Sequence, residues 1–191
     1  MAMPAKKNEI LATKEMFGFC AGFGRLLAQD DIPKLATLCE KCSDVAVKLT
    51  GKPPDVDAAS KLLAEVVVRG ETLAKGFCIG IFDSNQSLIG LMAVHQNLPA
   101  VGDWYIGNFM LEPSARSRGY GGDILNAFQR YVLGEKGRRI LLAVMHTNLA
   151  AQSFWIREGF EPIRELSPIQ FGNLLQTGTE FCKLLDQSVH R

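Results

Sequence analysis

The sequence predicts a mixed α+β fold, a central and mostly antiparallel sheet flanked by helices, and two stretches carry that prediction. In "KGFCIGIFDSNQSLIGLMAVHQNL" two apolar runs surround "DSNQ", the pattern of a hairpin, and "DWYIGNFML" adds a third strand that ends at Glu112 and Pro113, giving an antiparallel meander. After it, "RSRGYGG" leads into Ile124, Leu125, Phe128 and Val132, one face of a helix. That helix is expected to end near Gly134 or Gly137. The continuous apolar run "RRILLAVM" then follows, and strand, helix, strand makes a crossover unit.

The remaining elements follow in order. Residues 1–23 read as a tail or an added strand, because Glu9 and Glu15 interrupt the apolar run that a signal peptide would need. From Gly24 to residue 191 we expect one domain. "GRLLAQDDIPKLATLCEKC" is a short strand, then a turn near Asp30, then a helix with proline close to its first position. "VAVKLTG" and "VDAASKLLAEVVV" are short helices broken by "GKPPD". Asn148 caps the helix "LAAQSFWIRE", closed by Gly159, and "FEPIREL" and "TEFCKLL" complete the sheet.

Composition narrows the function. With 191 residues and 47% apolar content the chain can bury one core. A formal net charge of +1 gives no broad field for nucleic acid or an anionic membrane, so neither is expected as a partner, and no run approaches the ~20 apolar residues that span a bilayer. Five scattered cysteines fit reduced thiols in a cytoplasmic protein. Cys39 and Cys42 read as two thiols one turn apart on a helix, and no metal is expected, because the histidines that could complete a zinc set lie far off in sequence.

The glycine-rich stretch is the candidate binding site. Arg116, Ser117, Arg118, Gly119, Tyr120, Gly121 and Gly122 join a strand end to a helix start, where free N–H groups and the helix dipole favour an anion. The glycines let a phosphate approach the main chain. A P-loop would need Gly-Lys-Ser or Gly-Lys-Thr, which is absent, and a dinucleotide fingerprint would need a small residue where Ile124 stands.

Two motifs narrow this further. Arg116-x-x-Gly119-x-Gly121 resembles the pyrophosphate loop of the GNAT acetyltransferases. "NLAAQSFWIREGFEPI" is similar to their second signature through Asn148, Ala151, Phe154, Trp155, Arg157, Gly159 and Phe160. The resemblance is strong from Tyr105 to Ile163 and moderate from Gly24 onward. It implies the GNAT fold, with acetyl-coenzyme A as co-substrate lying between splayed fourth and fifth strands, here Asp103 to Leu111 and Arg139 to Met145. Backbone groups of Phe109, Met110 and Leu111 would then bond the pantetheine arm and stabilise the oxyanion. Asn148 would touch the coenzyme as well as cap its helix, and Ala151 and Trp155 would line the site.

The implied reaction is transfer of the acetyl group to a primary amine of a small molecule or protein by direct attack in a ternary complex. A non-catalytic acyl-CoA-binding module of the same fold is the alternative. His146, at the carboxyl end of the buried strand, is the candidate base. Many relatives carry a tyrosine where this chain has Trp155, whose indole does not transfer a proton near neutrality, so Tyr105 is the remaining candidate acid. The acceptor pocket would be built by "KLTGKPPDVDAA" and "HQNLPAVGDWY", where Asp55, Asp57 and Asp103 read as solvated loop acids. A homodimer is among the assemblies the sequence allows.

Overall fold

The computed structural model describes residues 14–68 and 74–186. Eight strands form a single sheet: β1 (Glu15–Phe19), β2 (Gly22–Leu26), β3 (Lys75–Asp83), β4 (Leu88–Gln96), β5 (Asp103–Leu111), β6 (Arg139–Met145), β7 (Glu161–Phe171) and β8 (Leu174–Leu184). Their spatial order is β1-β2-β3-β4-β5-β6-β8-β7. Every neighbouring pair is antiparallel except β5 with β6. The helices are α1 (Ile32–Lys41), α2 (Ser43–Thr50), α3 (Ala58–Val68), α4 (Tyr120–Gly134) and α5 (Leu149–Arg157).

The expected meander is β3-β4-β5, and the crossover is β5-α4-β6. β1, inside the segment read as a tail or added strand, pairs with β2 at one edge of the sheet. At the other edge lies β7, which carries Pro162 and Pro168, residues a ladder tolerates only where one side of the strand is free. β8 inserts between β6 and β7, so the last two strands form a hairpin whose second arm joins the sheet.

Two apolar layers cover the two faces. On one face Ile79, Ile81, Met92, Val94, Trp104, Ile106, Ile140, Leu142 and Val144 pack against Ile124, Leu125, Phe128 and Val132 of α4 and Trp155 of α5. On the other, Cys78, Leu91, Ala93 and Met110 pack against Leu35, Leu38 and Cys39 of α1 and Ala59 and Leu63 of α3. Strand alternation sends consecutive residues into opposite layers, so both faces of the central strands are apolar.

Cys39 and Cys42 do not share one helix. The chain turns at Cys42, between α1 and α2, with φ −96° and ψ 23°. The reason lies across the fold, where the Cys42 thiol donates to the Leu111 carbonyl at 3.4 Å. Burial pushes the Cys39 thiol up to about 11 and the Cys78 thiol up to about 12, so both stay protonated near neutrality. Among the described residues no group of three or more His, Cys, Asp or Glu is arranged to hold a metal ion, and no helix is long and apolar enough to cross a membrane.

Candidate functional site

A gap opens between β5 and β6, the parallel neighbours of the sheet among the described residues. Asp103 to Ile106 of β5 pair with Arg139 to Leu142 of β6, and there the ladder stops, although β5 runs on to Leu111 and β6 to Met145. The cause is a bulge on the other side of β5. Ala93 of β4 faces Asn108 and Val94 faces Ile106, which leaves Gly107 as an extra residue. A bulge bends its strand and increases local twist, carrying the rest of β5 away from β6. Below the gap the two strands are tied by Asp103, which accepts from Arg139 Nε at 2.9 Å and Nη2 at 2.8 Å.

The edges of the gap are polar main chain. The Glu112 N–H bonds the Ile89 carbonyl, so the alternating pattern of an antiparallel ladder turns the peptide groups of Met110 and Asn108 toward β4 and those of Phe109 and Leu111 toward the gap. By the same logic the His146 N–H bond to the Thr177 carbonyl directs the peptide groups of Ala143 and Met145 toward the gap from β6. Of the three β5 residues expected to offer backbone groups, Phe109 turns its peptide groups toward the gap, Leu111 has its carbonyl held by Arg116 and Cys42 so that only its N–H faces it, and Met110 bonds to β4 and buries its side chain under α1.

The glycine-rich loop stands at the open end. After a 3-10 turn at Pro113–Ala115, Ser117 takes φ +58° and Gly119 takes φ +85°, two left-handed residues that reverse the chain into α4. The Gly122 and Asp123 N–H groups bond the Gly119 carbonyl at 3.1 and 3.2 Å. The N–H groups of residues 117–121 have no protein acceptor among the described residues, an arrangement at a helix start that favours an anion. A Cβ placed on Gly119 would meet nothing within 4 Å, so the space over it is open to a ligand. At Gly121 a Cβ would come within 3.1 Å of the Phe154 ring, so this glycine serves the contact between α4 and α5.

Arg116 is bound to protein. Its Nη1 and Nη2 donate to the Asp44 carboxylate at 2.6 and 3.0 Å, and its Nε donates to the Leu111 carbonyl at 2.7 Å. The guanidinium therefore braces three pieces: the loop, the end of β5 and the first turn of α2. Arg118 is exposed, and Tyr120 packs partly on the apolar layer beside Phe19.

On the α5 side, Asn148 Oδ1 accepts from the Ala151 N–H at 3.3 Å, the expected cap. Gln152 reaches back to the Met145 carbonyl at 3.3 Å. Trp155 is 6% exposed and wedged among Phe109, Phe154 and Phe160, with ring centroids 5.9, 4.9 and 5.0 Å away. It lies on α5, beyond the gap from β5, yet touches Phe109, so it walls one side of the opening.

His146 faces the other way. Its Nδ1 lies 2.9 Å from Thr177 Oγ1, its Nε2 lies 3.0 Å from Thr179 Oγ1, and the same Nε2 is 2.9 Å from Glu165. Those partners sit on β8 and β7, which flank β6 on the side away from β5. Tyr105 stands at the base of the gap, opposite His95 on β4 and Leu141 on β6. Of the three acids read as solvated loop residues, Asp55 and Asp57 are exposed, in surface ion pairs with Lys61 and, for Asp55, Lys52, whereas Asp103 is buried and paired with Arg139.

Residues 53–160 match the model of the acetyltransferase (GNAT) family, over half of the chain. The chain belongs to that family. No curated protein matches the GNAT domain described here. Solved structures share its fold. An acetyl transferase from Salmonella typhimurium that modifies the N-terminal serine of a 50S ribosomal subunit protein superposes with TM-score 0.73 at 15% identity, over 87% of this chain and 96% of that one. Spermidine N-acetyltransferase from Vibrio cholerae, in complex with CoA and spermine, gives 0.66 at 17% identity, over 85% and 94%. A ribosomal alpha-N-protein acetyltransferase in complex with coenzyme A gives 0.73 at 14% identity, over 92% and 100%.

Sequence reasoning missed two features of this GNAT site. Gly107 carries no motif, and its role as the bulge follows only from the register of β4 against β5. Asp44, in α2, and Cys42, at the turn between α1 and α2, both reach the Leu111 end of the gap, one through Arg116 and one directly.

Proposed function

We propose that the protein is an N-acetyltransferase that moves the acetyl group of acetyl-CoA to a primary amine. The observation that carries this reading is the early end of the β5–β6 ladder beside a helix start with open N–H groups. The pyrophosphate fits the loop at residues 117–121, and Arg116 holds that loop in shape. The pantetheine arm fits the gap, where Phe109 and Leu111 offer main-chain groups. Asn148, Ala151 and Trp155 line the other wall.

The coenzyme supplies a thioester whose carbonyl carbon is attacked by the amine. A nitrogen–carbon bond forms, the carbon–sulfur bond breaks, the nitrogen gives up a proton and the departing thiolate takes one. An N–H at the gap edge of β5 can stabilise the developing oxyanion. No tyrosine stands at the position of Trp155. A thiol, with an ordinary pKa of about 8.5, leaves adequately as thiolate and can be protonated by water or by Tyr105. The acceptor is a small-molecule or protein amine, the two classes named for the relatives above.

The test is release of free thiol from acetyl-CoA across a panel of polyamines, amino acids, aminoglycosides and peptides with free N-termini. Amine-dependent release with the acetylated amine found by mass spectrometry supports the reading. Tight coenzyme binding without release from any amine supports a binding module instead.

A further inference from the structure

Amine attack requires a group that takes the nitrogen's proton, because an ammonium has no lone pair. His146 has both ring nitrogens engaged on the β8 and β7 side. A second histidine lies closer to the gap. His95 is on β4, directly across from Tyr105 on β5 and from Gly76 on β3. Ala93 and Leu91, two and four residues earlier, pack under α1 and α3, and strand alternation places His95 on the same face. That is the face opposite α4, whose N-terminus carries the phosphate loop.

The surroundings of His95 set it apart from an ordinary core histidine. It is 7% exposed, yet the residue in front of its ring is Gly107, which is exposed and has no side chain. A Cβ at Gly107 would stand 3.9 Å from His95 Nε2 and 4.0 Å from Cδ2. Gly107 is also the bulge residue at which β5 parts from β6. Gly107 therefore places no side chain over this edge of the His95 ring, at the base of the gap and below the stretch of β5 assigned to the pantetheine arm. The titratable and charged side chains around this face include Tyr105 on β5, Cys78 on β3, Cys39 on α1 against Cys78, Asp31 near Cys78, and Arg164 on β7 near Tyr105.

We propose that His95, reached past Gly107, accepts the proton of the acceptor amine. The inference rests on the acetyl-transfer reading above. As the nitrogen–carbon bond forms, the N–H bond breaks and its proton passes to the imidazole. The carbon–sulfur pair leaves with the coenzyme as thiolate, which is protonated by solvent.

The experiment uses the full chain, acetyl-CoA and an amine that the wild-type protein turns over. His95→Gln is expected to lower kcat by about a hundredfold, to leave the coenzyme Kd within about twofold of wild type, and to remove the acidic limb of the pH–rate profile. Gly107→Ala adds a Cβ at ordinary contact distances and folds. Gly107→Leu covers the ring and is expected to lower kcat/KM for the amine by tenfold or more, about 1.4 kcal/mol, with coenzyme affinity retained. Wild-type rate and pH profile in His95→Gln overturn the proposal, as does the same loss appearing in His146→Gln and not in His95→Gln. Should His95→Gln fail to fold, full activity in Gly107→Leu overturns it. If the wild-type protein transfers acetyl to no amine, the acetyl-transfer reading falls and takes this proposal with it, an outcome distinct from active wild type with an active His95→Gln.

Discussion

Asp44, in the first turn of α2, receives two hydrogen bonds from Arg116, the first residue of the glycine-rich loop, at 2.6 and 3.0 Å. The third donor of the same guanidinium holds the Leu111 carbonyl at the end of β5. The motif arginine thus shapes the proposed coenzyme site from behind, and helix α2, remote in sequence, is part of that support.

One consequence is that Arg116→Ala and Asp44→Asn should weaken acetyl-CoA binding in the same direction, with the double variant little worse than the worse single one. The pair is over a third exposed, so its coupling is expected at about 0.5–1 kcal/mol. Titration calorimetry on the four proteins measures it. Additive losses would show that Arg116 touches the coenzyme independently of Asp44.

Acid should release this brace. Hydrogen bonding from Arg116 holds the Asp44 carboxyl below the usual carboxylate range, and hydrogen bonding from Lys41 does the same for Glu112. A carboxylate with a lowered folded-state pKa contributes stability that is complete above its unfolded pKa, about 4, and is lost as pH falls through the folded value. Urea midpoints should therefore be flat from neutrality to about pH 5 and fall below about pH 4, with a shallower fall in Asp44→Asn. An identical acid slope in that variant would remove Asp44 from the account.

Gly119 carries two separate requirements, a left-handed backbone and open space above it. Gly119→Val is expected to cost about 1–2 kcal/mol in stability from the backbone alone. It should also abolish measurable coenzyme binding, because the branched side chain fills the open space that the proposed pyrophosphate position occupies. Circular dichroism with calorimetry separates the two effects. A folded Gly119→Val that binds acetyl-CoA normally would place the phosphates elsewhere.

Trp155, 6% exposed among three phenylalanine rings, is a packing residue that walls the gap. Trp155→Ala should destabilise the fold by about 3–5 kcal/mol through the cavity left among Phe109, Phe154 and Phe160. Trp155→Tyr should cost less and retain acetyl transfer if the parent shows it. A stability unchanged in Trp155→Ala, read from urea unfolding, would deny the packing role.

Much of this was legible in the sequence where the signal is local. The loop from Arg116 to Gly122 and the Asn148 cap are set by turn chemistry within a few residues, and both stand where the spacing puts them. The α4 face of Ile124, Phe128 and Val132 follows from helical period alone. Illegible were relations fixed by register across the sheet. One extra residue against β4 makes Gly107 a bulge, and no composition marks it. His146 looked poised over the gap because it ends β6, but Thr177 and Thr179 on the neighbouring strand draw its ring the other way. Cys42 broke its helix for a partner 69 positions away. His95, buried in an apolar strand, carried no motif at all.

The central claim is that the gap between β5 and β6 and the loop at its mouth hold acetyl-CoA. Amide hydrogen exchange, read residue by residue by NMR with and without the coenzyme, tests this most directly. The account predicts that binding slows exchange at Phe109, Leu111 and residues 117–121, with little change at Met110, whose peptide group already bonds to β4. Saturable binding that leaves the amides of Phe109, Leu111 and residues 117–121 exchanging at their free rates would contradict it.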